Sequence, residues 1–347
     1  MFTLSRSAGA PRDARPVLAL ALVAAAAAAW AALSAPAHAQ GSQPQAQVDA
    51  LEGLFGKHAG ARRSGAKGVC ATGTFVGAAG AADVVRSPLF DGRRVPVVAR
   101  FSVGGGNPRA SDKGRSVRGL SLAIDHAGQQ WQMATISAPV FFVAKPEQFA
   151  PFLQARTPDP ATGKPDPEKL KAFNEAHPET LRQAMYLAQA PVPASYGTVQ
   201  YWSANAFEAT NARGESKFVR WQFVPEAGMV GLTDEELRTR PDDFLADELR
   251  ARVKAAPVAY TLQFQIAQPG DSITDPTRAW PADRPVVNAG RLLIEAVEPG
   301  AGGACERMTF NPVVLPDGLK PSADPVLQAR AAPYVLSLGR RLSEPRP

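Results

Sequence analysis

Histidine and cysteine are scarce in this 347-residue chain, with four and two respectively. Only His58, His126 and His177 lie beyond residue 39, and none stands in an H-E-x-x-H pair. A protein-only zinc site or a histidine-based triad is therefore disfavoured. The G-x-S-x-G elbow and the Walker loop are also missing, which removes the common serine-hydrolase and nucleotide-triphosphatase readings. Gly104-Gly105-Gly106 is followed by neither a Lys-Ser/Thr pair nor a helix pattern, so it reads as a turn and not a phosphate cradle. Charge of one sign is not concentrated either. The 38 basic and 32 acidic residues are mixed along the chain, which argues against nucleic acid as a partner.

Long apolar runs are limited to one, Val17 to Leu33, behind Arg6, Arg12 and Arg15 and ahead of Ala37-His38-Ala39. A basic start, an apolar centre and an A-x-A site make a secretory signal cleaved after Ala39. No Arg-Arg pair precedes the run, so the expectation is Sec-type export to the periplasm with no membrane attachment after cleavage. Residues 1–39 are excluded from fold reasoning, and 347 − 39 = 308 residues remain, read as a single domain over 40–347. The leader holds three Arg and one Asp, so the net charge falls from +6 to +4. Both cysteines, Cys70 and Cys305, stay in the mature chain. An oxidising compartment permits a disulfide between them, and two separate buried thiols remain the alternative.

Alternating apolar and polar residues predict strands at Val219–Phe223 and Tyr260–Ile266. Val69–Val76, Pro96–Val103, Val117–Ile124, Gln130–Ile136 and Pro285–Val297 follow, each bounded by Gly, Pro, Asn or Asp. Helices are expected at Glu168–His177 and Glu179–Ala190, after the proline-rich stretch 157–167. A short one follows the Thr233/Glu236 capping box, and another starts at Asp242 with Leu245, Leu249 and Val253 on one face. The expected class is α+β, an antiparallel sheet closing into a barrel with helices around it and at the C-terminus.

The chemistry-bearing stretch is Arg330-Ala331-Ala332-Pro333-Tyr334, with Arg340-Arg341 beyond it. Spacing of four on a helix sets the Arg330 guanidinium beside the Tyr334 phenol. A neighbouring positive charge favours phenolate, the form that binds ferric iron.

Five segments taken in order, Arg62 to Gly68, Val98 to Ser102, Ala138 to Phe142, Arg330 to Tyr334 and Arg341, resemble the haem-site segments of the catalase superfamily. The likeness runs from about residue 50 to residue 342 and points to the short, exported branch, the catalase-related peroxidases. Lys145 to Phe149, Asp275 to Pro281 and Phe310-Asn311-Pro312 fit the same branch. The resemblance implies haem b with Tyr334 as axial iron ligand and Arg330 as its partner. It implies Arg62, Arg100 and Arg341 as holders of the propionates, since a planar, permanently charged fork matches a carboxylate. Phe141 and Phe149 would line the distal side or pack on the ring, and Ser102 would be the hydroxyl behind the distal base.

Two positions depart from the family. Gly65 stands where the distal histidine is expected, and Ile136-Ser137 where the distal asparagine is expected. Peroxide cleavage needs a base to move a proton between the two oxygens, and glycine offers none. Neither His58, seven residues away, nor Lys67, ordinarily protonated, makes a good substitute, which leaves solvent as the carrier. The expected activity is a peroxidase that uses organic hydroperoxides or hydrogen peroxide and a small reductant, slowed by Gly65. The alternative is a haem-binding protein for storage, transport or sensing. A monomer and a dimer both suit a chain of this size.

Overall fold

The computed structural model describes residues 43–298 and 303–345. The expected leader lies outside them.

Seven of the ten strands among the described residues come from alternating or buried runs, and every pairing is antiparallel. They are β1 (Gly68–Gly77), β2 (Arg94–Val103), β3 (Arg118–His126), β4 (Gln129–Ile136), β5 (Tyr201–Trp202), β6 (Phe207–Thr210), β7 (Ser216–Pro225), β8 (Val258–Ile266), β9 (Val286–Val297) and β10 (Leu319–Pro321). The order β1-β2-β3-β4-β5-β7-β8-β9, with β9 pairing back onto β1, closes an eight-stranded barrel. β6 continues along the edge of β7 that β5 has left, and β10 adds outside β6. The seven strands expected from the sequence are all present, most a residue or two longer. β5, β6 and β10 are too short to show a period.

Alternation sends large rings inward. Trp131, Trp221, Phe75, Phe90, Phe207 and Phe264 fill one part of the interior, with Phe207 stacked on Trp221 at 3.9 Å. Phe101, Tyr196, Tyr201 and Tyr260 fill another, and both Tyr201 and Tyr260 donate their hydroxyls to the Tyr196 carbonyl. A barrel filled in this way has no room inside for a large ligand, so a site has to be built on its outer wall.

The helices are α1 (Gln43–Phe55), α2 (Phe149–Gln154), α3 (Pro167–Ala176), α4 (Arg182–Gln189), α5 (Asp234–Thr239), α6 (Phe244–Ala255), α7 (Pro325–Ala329) and α8 (Ala331–Ser343). The expected Thr233/Glu236 capping box forms. Two boundaries differ from expectation. The segment from Glu179 is first a 3-10 turn, because Pro178 lacks the amide a continuous helix needs, and becomes α-helical at Arg182. The helix expected from Asp242 begins at Phe244, because the Asp242 carbonyl accepts from the Asp112 amide at 2.7 Å and is committed to the loop before β3.

Candidate functional site

Period two on β2 places Arg100 and Ser102 on the outer wall while Phe101 points inward. Register sets Cys70 of β1 opposite Arg100, and Gly68 opposite Ser102. A Cβ on Gly68 would lie 2.7 Å from the Arg100 guanidinium carbon, so only glycine lets that side chain cross β1. Arg100 then donates to the Gly65 carbonyl at 2.7 Å and the Ala66 carbonyl at 3.1 Å, and pairs through Nε with Glu306 at 3.3 Å.

Arg62 and Arg341 join it. Both donate through Nη2 to the Met308 carbonyl, at 3.0 and 2.8 Å, and Arg62 also donates to the Cys305 carbonyl at 2.6 Å. Arg100 and Arg341 are buried and Arg62 is half-buried. Desolvation, and then repulsion from Arg100 and Arg341, push the Arg62 pKa down to about 9. Burial lowers that of Arg100 as well. All three stay charged at neutral pH. Arg62 and Arg100 both face the Glu306 carboxylate, and the buried Nε of Arg62 has no hydrogen-bond partner. A gathering of guanidinium groups of this kind is suited to an anionic ligand.

Arg330 is the joint between α7 and α8, and its Nη2 donates to the Tyr334 hydroxyl, as the spacing of four predicts. Asn205 fixes the guanidinium from behind by accepting from Nη1 at 3.0 Å, and its own amide donates to Asp324 at 2.7 Å. Asp324 caps α7, accepting from the amides of Val326 and Leu327. Its burial raises its pKa. Tyr334 and Arg341 are seven residues apart on α8, two turns along one face, and Tyr334 lies within electrostatic reach of Arg62.

Half-buried phenylalanines gather beside this pair. The ring of Phe141 lies 6.0 Å from the Arg330 guanidinium and 4.4 Å from Phe142, which is 5.2 Å from Phe149. Phe141 therefore stands against Arg330, whereas Ser102 stands beside Gly65. Gly65 has φ +62°, and a Cβ there would point at Ser102 Oγ, 3.1 Å away.

The other side chains that could carry a proton near Gly65 are engaged elsewhere. Lys67 is tied to Asp112 at 2.9 Å and to the carbonyls of Ala110 and Asp242. His58 bonds the Phe55 carbonyl at 3.0 Å. His177 faces Gln148 and Glu179. The Ser137 hydroxyl accepts from the Arg118 amide at 2.8 Å. Gly104 to Gly106 form the bend after β2, as expected.

Cys70 and Cys305 are joined as a disulfide, with Cα atoms 5.5 Å apart, which decides between the two alternatives the sequence left open. Glu306, Asn205, Asp324 and Arg63 are the residues sequence reasoning missed. Arg63, next to Arg62, is buried and bonds Glu52 of α1 at 2.6 Å and Glu344 beyond α8 at 2.5 Å. Of these only Asp324 left a signal, an Asp-Pro pair at a helix start six residues before Arg330.

A filled antiparallel barrel with an arginine cluster and an arginine-tethered tyrosine on its outer wall defines a catalase-type protein. Catalase A from Saccharomyces cerevisiae matches with a TM-score of 0.74 and 24% identity over 82% of this chain and 62% of its own. A fungal catalase matches with 0.75 and 25% identity over 82% and 60%. The chain therefore spans about three fifths of the length of these solved catalases. A family model described as Catalase matches residues 49–344. A catalase-related peroxidase of Synechococcus elongatus is 45% identical over 304 residues, 87% of this chain and 90% of that protein. Another, of Mycolicibacterium paratuberculosis, is 34% identical over 303 residues, 87% and 95% of the two chains. The chain belongs to the catalase superfamily, in its catalase-related peroxidase branch. A peroxidase-type oxidoreductase function goes with that membership, and the family generally binds haem.

Proposed function

We propose that this protein is a periplasmic haem peroxidase that reduces organic hydroperoxides or hydrogen peroxide at the expense of a small reductant. The observation that carries the reading is the gathering of Arg62, Arg100 and Arg341 on the short segment from Cys305 to Met308, next to an Arg330-bonded Tyr334. The guanidinium forks suit the propionates of haem b, and the half-buried rings of Phe141 and Phe149 suit its apolar face. When bound, haem supplies the iron centre at which peroxide is reduced.

The chain's own residues do the rest. Tyr334 would hold the iron through its phenol oxygen, and the Arg330 donor is aimed at that atom, where negative charge would reside. Asp324 and Asn205 hold Arg330 in place. Gly65 and the neighbouring Ser102 offer no imidazole to hold or move a proton, so turnover would be slow compared with a site that has a positioned base.

A second reading, a haem-binding protein with little turnover, is favoured by one specific observation. Gly65 is left-handed and carries no base, while Lys67 and His58 are both committed to other partners.

Haemin titration of the mature protein and of Tyr334→Phe tests the ligand. The expected result is a tyrosinate-type spectrum in the native protein that disappears in the variant. Consumption of an organic hydroperoxide with a reductant by the loaded protein then separates the readings. Sustained turnover supports the peroxidase, and an inert haem complex supports the binding protein. Absence of haem binding refutes both.

A further inference from the structure

The three arginines are held together by a short segment outside the barrel. Residues 304–308 supply the Cys305 carbonyl to Arg62, the Met308 carbonyl to both Arg62 and Arg341, and the Glu306 carboxylate to Arg100. Its own secondary structure is one 3-10 turn, Ala304–Arg307, too short to hold a position alone. Its covalent anchor is the bond from Cys305 to Cys70 on β1. Because Cys70 pairs in register with Arg100, that bond delivers Glu306 directly to the Arg100 guanidinium. Phe310 packs on the two cysteines, and Glu298 accepts from the Ala304 amide at 2.6 Å, so the anchor sits at the centre of the segment's contacts. The bond also uses both thiols, so the cluster of Cys70, Cys305 and Glu306 is not a metal site.

We propose that the Cys70–Cys305 disulfide is a positioning device for the arginine cluster, so that haem retention depends on this bond being oxidised. The proposal rests on the reading that Arg62, Arg100 and Arg341 hold the haem propionates. A dithiol supplies two electrons and two protons, becomes a disulfide itself and leaves Cys70 and Cys305 as thiols. The 304–308 segment is then tethered only by non-covalent contacts. Arg62 and Arg341 lose a fixed carbonyl, and Arg100 loses a fixed carboxylate.

The test compares the oxidised mature protein, the same protein reduced with dithiothreitol and freed of it under nitrogen, and a Cys70→Ala/Cys305→Ala variant. Haemin affinity is measured by optical titration, far-ultraviolet circular dichroism follows the barrel, and amide hydrogen exchange follows residues 303–312. The expected result is faster exchange in that segment and haemin affinity at least about tenfold weaker in both bond-free forms, the scale on which supporting contacts tune a bound centre, with the barrel signal unchanged. Equal affinity with both thiols titrated overturns the proposal. So does weaker affinity that appears only together with loss of the barrel signal, since the bond would then be a general stabiliser. If the oxidised protein itself binds no haemin, the functional reading fails and this inference fails with it.

Discussion

The proposed chemistry turns on a single residue, Gly65. Its φ of +62° lies in the left-handed region, and the space beside it is bounded by Ser102 Oγ and the Arg100 guanidinium. Restoring the base with Gly65→His has two opposing consequences. A side chain in this backbone conformation costs about 1–3 kcal/mol, and its Cβ meets Ser102 Oγ at 3.1 Å. A positioned base contributes roughly a hundred- to ten-thousandfold to rate. The expected outcome is a haem-loaded variant that melts several degrees lower and cleaves peroxide at least about tenfold faster. Stopped-flow peroxide kinetics beside a thermal melt measure both. An unchanged rate in the folded, loaded variant would show that proton transfer at this position does not limit the reaction.

Between elements, α1 and the end of α8 are clamped together. Arg63 bridges Glu52 of α1 and Glu344, and Arg340 of α8 reaches Asp49 and Glu52 at 2.6 and 3.1 Å. The clamp fixes α8, which carries Tyr334 and Arg341. The Arg63 hydrogen bond holds the Glu344 carboxyl below the ordinary glutamate pKa of 4.5. For Glu52, burial acts upward but the bonds from Arg63 and Arg340 outweigh it, and its pKa is lowered too. A carboxyl with a depressed folded-state pKa adds stability that is complete above 4.5 and is lost as pH falls through the lower value. Amide exchange in α1 is therefore expected to accelerate below pH 4.5 while the barrel strands stay protected. Glu344→Gln is expected to speed exchange at neutral pH and flatten the acid step. Equal protection of α1 at pH 3 and pH 6 would refute the clamp.

Over the whole molecule, the barrel is a filled scaffold and the site lies on its flank. Trp221 stacks on Phe207, meets Trp131 edge-on at 5.4 Å and is almost wholly buried. Trp221→Ala is expected to cost about 3–5 kcal/mol, as large-to-small changes of buried aromatic residues do. Urea unfolding of the haem-free protein measures the loss. A cost under about 1 kcal/mol would mean that the interior rings are not the source of stability.

How much of this was legible follows from the range of each interaction. Strands of eight to twelve residues announced themselves by alternation, and the Thr233/Glu236 cap by spacing, because both arise between near neighbours in the chain. The pairing of Arg330 with Tyr334 was legible for the same reason, as one helical turn. The five ordered segments pointed to the family because their residue types carry recognition chemistry that composition alone does not supply. Only the tertiary structure decided the rest. The disulfide closes a separation of 235 residues, and nothing local indicates that the two thiols will meet. Glu306 and Asn205 act on Arg100 and Arg330 from 206 and 125 residues away. The sequence by itself determined the longer strands and the helical turn that sets Arg330 beside Tyr334. Barrel closure decided which distant groups share the site, because β1–β2 register and a cross-chain bond bring them within hydrogen-bonding distance.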